Sequence, residues 1–176
     1  MQDLLHDLDA EFARDPAGPG VAKLLESFSS SDRDWSNYGL FGEGPYTRNL
    51  VHLTEHYELI VICWNEGAAS PIHDHSGQRC WMGGLQGEIQ ETHFDLPAAG
   101  CAPVARSTRI LNRGQVAFIT DEIALHEIRA AGGKPAASLH LYAHPIKTCK
   151  LYDPETGGVE ERRLGYYSVQ GALQPC

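Results

Sequence analysis

Gly67-Ala-Ala-Ser-Pro-Ile-His73-Asp-His75-Ser-Gly-Gln-Arg-Cys80-Trp-Met-Gly-Gly-Leu-Gln-Gly87 is the stretch that decides the fold. Successive side chains of an extended chain point to opposite sides, so His73 and His75 project together and can share one metal ion, while Asp74 points away. This reading places one strand over about residues 73–82. A third imidazole comes from His126 in Ala124-Leu125-His126-Glu127-Ile128, whose apolar neighbours put it on a buried strand. Three histidines make a facial metal site with open positions.

Outward from that stretch the chain keeps a twofold period. Apolar runs punctuated by Gly, Pro, Asn and Asp predict strands over residues 48–53, 57–64, 88–94, 108–111, 116–119, 126–129 and 137–142. Short strands at that density point to a mainly β barrel or sandwich. Ahead of them the period is helical: Leu5, Leu8 and Phe12 form one stripe, and Val21, Leu24, Leu25 and Phe28 form another. Pro16-Ala-Gly-Pro-Gly20 separates the two helices, which pack outside the barrel, and the helical pattern stops at Ser29-Ser-Ser-Asp32.

Composition narrows the function. The 176 residues suit one domain of ~150 residues with its own core. Lys plus Arg number 14 against 23 Asp plus Glu, a net charge of −9, the wrong sign for a phosphate backbone or an anionic membrane. No apolar run approaches the ~18 residues of a membrane span, and the first residues carry no basic leader. Five cysteines, at 63, 80, 101, 149 and 176, show no C-x-x-C spacing, which argues against a disulfide framework and a zinc ribbon and for a reducing, cytoplasmic location. Cys101 and Cys176 read as loop and tail, and Trp64 and Trp81 as core or pocket wall. His6, His52, His56 and His93 read as surface, and Gly39-Leu-Phe-Gly-Glu-Gly44 as a mobile loop without a phosphate-binding pattern.

Three neutral imidazoles leave a divalent ion its full charge, so the site favours anionic ligands; a thiol bound there loses its proton, and an amine can take a second position. Iron and zinc stay open on these residues alone. A second string of period two, Ser138-Leu-His140-Leu-Tyr142, places Leu139 and Leu141 in the core and a hydroxyl, an imidazole and a phenol on the other face. If that face meets the cavity, the three form a relay with Tyr142 nearest the open metal positions.

The glycine, five residues, His-x-His, then Cys80 four residues on and Gly87 six further, resembles the first cupin motif, with Cys80 in place of its usual glutamate. The second motif is looser: Gly114 and His126 are in order, Thr120-Asp121-Glu122 replaces Pro-x-Gly, and the spacing is one residue longer. Tyr46-Thr-Arg48-Asn-Leu, Cys63-Trp-Asn-Glu-Gly67, Ile72-His-Asp-His75, Cys80, Leu85-Gln-Gly87, Leu125-His126, Ser138-Leu-His-Leu-Tyr142 and Thr148-Cys149 resemble, in order, the cysteine dioxygenase branch of the cupins. The resemblance implies one cupin domain over 1–176, with a helical cap at 1–30 and a jelly-roll core at about 46–150. It implies Fe(2+) on His73, His75 and His126, and a monomeric enzyme turning L-cysteine and dioxygen into cysteine sulfinic acid.

By the same resemblance Arg48 holds the substrate carboxylate beside Tyr46, while Tyr142, Cys80, His140 and Ser138 serve catalysis. A guanidinium fork suits a carboxylate left outward by chelation through sulfur and nitrogen. The related mercaptopropionate dioxygenases carry glutamine at the Arg48 position, so arginine favours cysteine over 3-mercaptopropionate or cysteamine. A third reading is a metal-binding or effector-binding cupin without turnover. Cys80 and Tyr142 match the pair joined by a thioether in animal enzymes, a modification expected to be partial and dependent on turnover. Tyr142-Ala143-His144-Pro145 departs from the family's Tyr-Ser-Pro-Pro; it removes the proline that supports a cis bond and places a new polar group, His144, near the pocket.

Overall fold

The computed structural model describes residues 1–31, 34–98 and 101–175; Asp32 and Cys176 lie outside the described residues. Two helices lead, α1 (Gln2–Arg14) and α2 (Val21–Ser30). Among the described residues the rest of the chain forms two sheets. One runs, edge to edge, β13 (Ala172–Leu173), β12 (Ser168–Val169), β1 (Tyr46–Leu53), β2 (Glu58–Trp64), β9 (Ala136–Ala143), β4 (Arg79–Gln86) and β7 (Val116–Ile119). The other runs β11 (Val159–Arg163), β10 (Thr148–Tyr152), β3 (Ile72–His73), β8 (Leu125–Ala131), β5 (Glu88–Asp95) and β6 (Val104–Leu111).

Both faces of the first sheet are covered, which is why β2 and β9 are buried along their whole length. Leu59, Val61 and Cys63 of β2, with Ala137, Leu139 and Leu141 of β9, pack outward against Leu8 and Phe12 of α1 and Val21, Leu25 and Phe28 of α2. Each such side chain, taken fully out of water, contributes roughly 1.5–3 kcal/mol. Phe12 stacks on Tyr57 at 5.1 Å, and the Tyr57 hydroxyl donates to Asp9 at 2.8 Å, which fixes the helices on the sheet. The alternate residues face inward: Ile60, Ile62, Trp64 and Tyr142 join Cys80, Met82, Ile89 and Ile128 in a core between the sheets. The leading helices are therefore an outer cap, and the polar string Ser138, His140 and Tyr142 is carried on the inner face of a central strand.

The strand expected over 73–82 is two strands. The chain breaks between β3 and β4 at Ser76 (φ 49°) and Gly77 (φ 78°), left-handed conformations that end extended pairing. One carboxylate stabilises the break: Asp121 accepts from the backbone amides of His75 and Gly77, each at 2.6 Å. Four short strands, β10 to β13, follow the last strand read from the sequence and bring the chain back beside β1 and β3. The glycine-rich stretch at 39–44 is tied down through its carbonyls, with Leu40 accepting from Thr47 and Gly42 and Gly44 from Asn65. No helix among the described residues is long and apolar enough to cross a membrane.

Candidate metal centre

His73 closes β3, His75 follows it in the turn held by Asp121, and His126 is the second residue of β8, paired with His73 across the ladder. One nitrogen of each imidazole lies within 4.8 Å of the other two. His73 and His75 thus reach the same point, although by a strand end and a pinned turn rather than by alternation along one strand. Asp74 is turned away, as expected: its Oδ1 accepts from the Lys150 amide at 2.8 Å. No carboxylate joins the three imidazoles in the cluster formed by the described residues.

Hydrogen bonds assign the tautomers. A carbonyl only accepts, so Nδ1 of His73, 2.9 Å from the Pro71 oxygen, carries the proton. Nδ1 of His126 donates to Glu91 Oε1 at 2.8 Å. Burial lowers the pKa of both rings, well below 6.5 for His73 and to about 4 for His126 despite the nearby carboxylate. Both are neutral near pH 7, and their Nε2 lone pairs face each other at 3.2 Å. Two lone pairs at that distance repel unless a cation lies between them. Ligand nitrogens ~2.1 Å from one ion sit ~3 Å apart when adjacent, so the spacing fits a shared metal. His75 completes the test: it is fully buried, Nδ1 lies 3.5 Å from Asp121 Oδ1, and Nε2 has no hydrogen-bond partner. Imidazole donors of this kind suit first-row divalent ions.

Glu91 is the group that sequence reading missed. It is 1% exposed, binds His126, and takes Arg109 at 2.6 Å. Burial would raise its pKa, but His126 and Arg109 hold it down at about 2, so it stays ionised and orients His126. Its signal was a charged residue on the inward face of β5, in step with Ile89. His93 shares that face, with Nε2 3.1 Å from Glu91, and is partly buried rather than on the surface. Asp121 stands where the common motif has Pro-x-Gly, and its role could not be read without the turn it pins.

Metal-free protein is therefore acid-sensitive. A histidine whose folded pKa lies below its unfolded value stabilises fully above pH 6.5 and loses that contribution as pH falls, because the unfolded chain binds the proton first. For His126, shifted from 6.5 to about 4, the loss reaches about 3 kcal/mol by pH 4. Denaturant unfolding of metal-stripped protein at pH 7 and pH 4 is expected to show at least that drop; equal stability would contradict neutral buried imidazoles.

Beside the histidines lies a cavity lined by Tyr46, Arg48, Trp64, His140, Tyr142 and Cys149, with His73 on its wall. A wider vestibule opens from it past Tyr46, Arg48, Pro71 and Arg162 to Tyr166. Trp64 Nε1 donates to Ser138 Oγ at 2.9 Å, and Ser138 is 2.8 Å from His140 Nε2. The serine hydroxyl therefore sits between the indole N–H and the imidazole and ties the ring to Trp64. Burial holds the pKa of His140 well below 6.5. The rings of His140 and Tyr142 stack with centroids 6.1 Å apart, and Tyr142 is 6.3 Å from His75. Cys80 pairs directly with Tyr142 across β4 and β9, and burial pushes both the thiol and the phenol up, keeping them protonated.

Arg48 is partly buried at the cavity edge, with Cζ 5.8 Å from the Tyr142 ring centre and Nη2 3.1 Å from Glu58. Its Nε has no protein partner. Trp64 is cavity wall, whereas Trp81 belongs to the outer core. Two expectations at the segment after β9 are corrected. The Ala143–His144 bond is cis without a proline, and His144 is exposed, bonded to the Glu55 carbonyl at 2.9 Å rather than facing the cavity.

The arrangement matches known proteins. Residues 2–155 fit the family model described as cysteine dioxygenase type I. The chain is 36% identical over 179 residues to cysteine dioxygenase type 1 of Rattus norvegicus, covering 99% of this chain and 90% of that protein. It is 35% identical over 182 residues to the Danio rerio protein of the same name, with the same coverage. In fold it is similar to a protein of Thermus thermophilus (TM-score 0.52, 20% identity, 64% of this chain and 97% of that one). It is also similar to a double-stranded beta-helix protein of Klebsiella pneumoniae (TM-score 0.52, 16% identity, 77% and 99%). Two apposed sheets behind a helical cap are a cupin jelly roll, and with its three-histidine centre the chain belongs to the cysteine dioxygenase type I family.

Proposed function

We infer that the protein is an iron-dependent dioxygenase converting L-cysteine to cysteine sulfinic acid. The observation that carries this is the cluster of His73, His75 and His126 without a carboxylate, beside a cavity that also holds the partly buried guanidinium of Arg48. The three histidines would hold Fe(II), which supplies the electron transfer by which dioxygen reacts with a thiolate. The stoichiometry balances as RSH plus O2 giving RSO2H, so no external reductant is needed.

This chain's own residues bind and orient. Arg48 receives the substrate carboxylate, using donors that Glu58 leaves free, and Tyr46 flanks it at the cavity wall. The charge of Arg48 persists: its pKa is raised although desolvation opposes it, and Glu58 is the carboxylate that pairs with it. Tyr142 stays a neutral hydrogen-bond donor beside the reacting atoms. Trp64 and Ser138 hold the ring of His140 through Nε2. The cross-strand pairing of Cys80 with Tyr142 supports a thioether between them, a step that would remove two protons and two electrons from the pair and pass them to dioxygen as hydrogen peroxide. Free thiols at Cys63, Cys80, Cys101 and Cys149 accord with a reducing, cytoplasmic compartment.

Arg48→Gln tests the substrate. A hydrogen-bonded charge pair is worth ~2 kcal/mol, so KM for cysteine is expected to rise about 30-fold, while cysteamine, which has no carboxylate, is little affected. Oxygen uptake with cysteine, cysteamine and 3-mercaptopropionate checks this. An equal loss for cysteine and cysteamine would remove Arg48 from recognition, and no uptake with any thiol would favour a binding cupin without turnover.

A further inference from the structure

We propose that Glu58 is a positioning residue that fixes Arg48, and so decides how strongly the enzyme prefers thiols bearing a carboxylate over those without one. The proposal rests on Arg48 being the carboxylate receptor. Glu58 opens β2 with no exposed surface and lines neither the cavity nor the vestibule, so it acts only through its neighbours. A buried carboxylate is tolerated when its charge is paired and its oxygens are bonded. Oε1 accepts from Arg48 Nη2 at 3.1 Å, and Oε2 accepts from the Ile146 amide at 2.9 Å. The Tyr166 phenol lies close enough to this carboxylate for each to shift the other's titration.

These partners come from three separate segments of the chain. Arg48 is on β1, Ile146 follows β9 and its Tyr142, and Tyr166 precedes β12. The last segment is also held by its backbone, the Tyr167 amide donating to the Arg48 carbonyl at 2.7 Å. Arg48 lies where the inner cavity meets the vestibule, and its long side chain can follow solvent outward unless something inside retains it. Glu58 retains it by one nitrogen and leaves Nε unpartnered. A glutamine cannot do the same: one of its two terminal atoms is a donor, which would face either the guanidinium or the Ile146 N–H, both donors themselves.

The test is calorimetric binding of cysteine and of cysteamine to iron-loaded protein without oxygen, where no turnover intervenes. The readout is the ratio of the two Kd values. Glu58→Gln is expected to reduce the preference for cysteine about tenfold through the cysteine Kd alone, with cysteamine within about twofold of wild type. Tyr166→Phe, which removes one hydroxyl, is expected to reduce it about threefold, and it carries the test if Glu58→Gln does not fold. Tighter cysteine binding in Glu58→Gln would overturn the proposal, since Glu58 would then merely compete with substrate. Equal weakening of both ligands would also overturn it, as general structural damage. Arg48→Gln separates the two levels: if it abolishes the preference and neither Glu58→Gln nor Tyr166→Phe changes it, only Glu58's role falls. If Arg48→Gln leaves the preference intact, the carboxylate reading falls too.

Discussion

Alanine at His126 is expected to leave the protein without iron and to cut cysteine-dependent oxygen uptake by about three orders of magnitude, since catalysis here depends on the metal. His126 is one of the three ligands in the cluster, and its ring is oriented by Glu91 through Nδ1 as that of His73 is by the Pro71 carbonyl. Its removal leaves His73 Nε2 without the lone pair it faces at 3.2 Å, and a two-imidazole site cannot hold the ion against solvent. Glu91 keeps Arg109 as a partner, so the fold is expected to survive the change. His73→Ala and His75→Ala should behave alike, and metal analysis with oxygen uptake checks all three. Full iron occupancy and undiminished uptake in any of them would exclude that histidine as a ligand.

Tyr142→Phe is expected to lower kcat about a hundredfold while iron content and the KM for cysteine change little. A donor preorganised at the reacting atoms is worth that much in other enzymes, and this phenol is buried, protonated and stacked against His140. The ring that Arg48 overlies remains in the phenylalanine variant, so substrate affinity should persist. The same variant should lose the thioether to Cys80. Intact mass after turnover should show the wild type short by two hydrogens in part of the population and the variant unchanged. A variant with wild-type kcat would move Tyr142 out of the catalytic group.

The centre was legible in the sequence because its chemistry is local. His-x-His within a glycine frame, and His126 among apolar neighbours, needed only the direction of extended side chains to be brought together. The inner face of β9 was legible for the same reason: Leu139 and Leu141 go to the helices, and Ser138, His140 and Tyr142 to the interior. What holds these residues in place was not local. Asp121 lies 46 residues from His75 and Glu91 lies 35 from His126, so neither contact leaves a mark in sequence spacing.

The same limit explains the split of the strand expected over 73–82, because the turn at Ser76 and Gly77 is held by a distant carboxylate as well as by its own backbone bond from Gln78 to His75. The closing strands escaped notice because they are short and, in β11, charged throughout as Glu160-Glu161-Arg162-Arg163 after Val159. That pattern reads as a solvated loop. Yet the chain beyond β11 delivers Tyr166 to Glu58, and β11 itself brings Arg162 to the vestibule.

The most direct measurement supplies iron-loaded protein with cysteine and isotopically labelled dioxygen, then determines the mass of the product. Cysteine sulfinic acid carrying two labelled oxygens, one dioxygen consumed per thiol, is the predicted result. Product with a single labelled oxygen, or cystine alone, would contradict sulfur dioxygenation at the site of His73, His75 and His126.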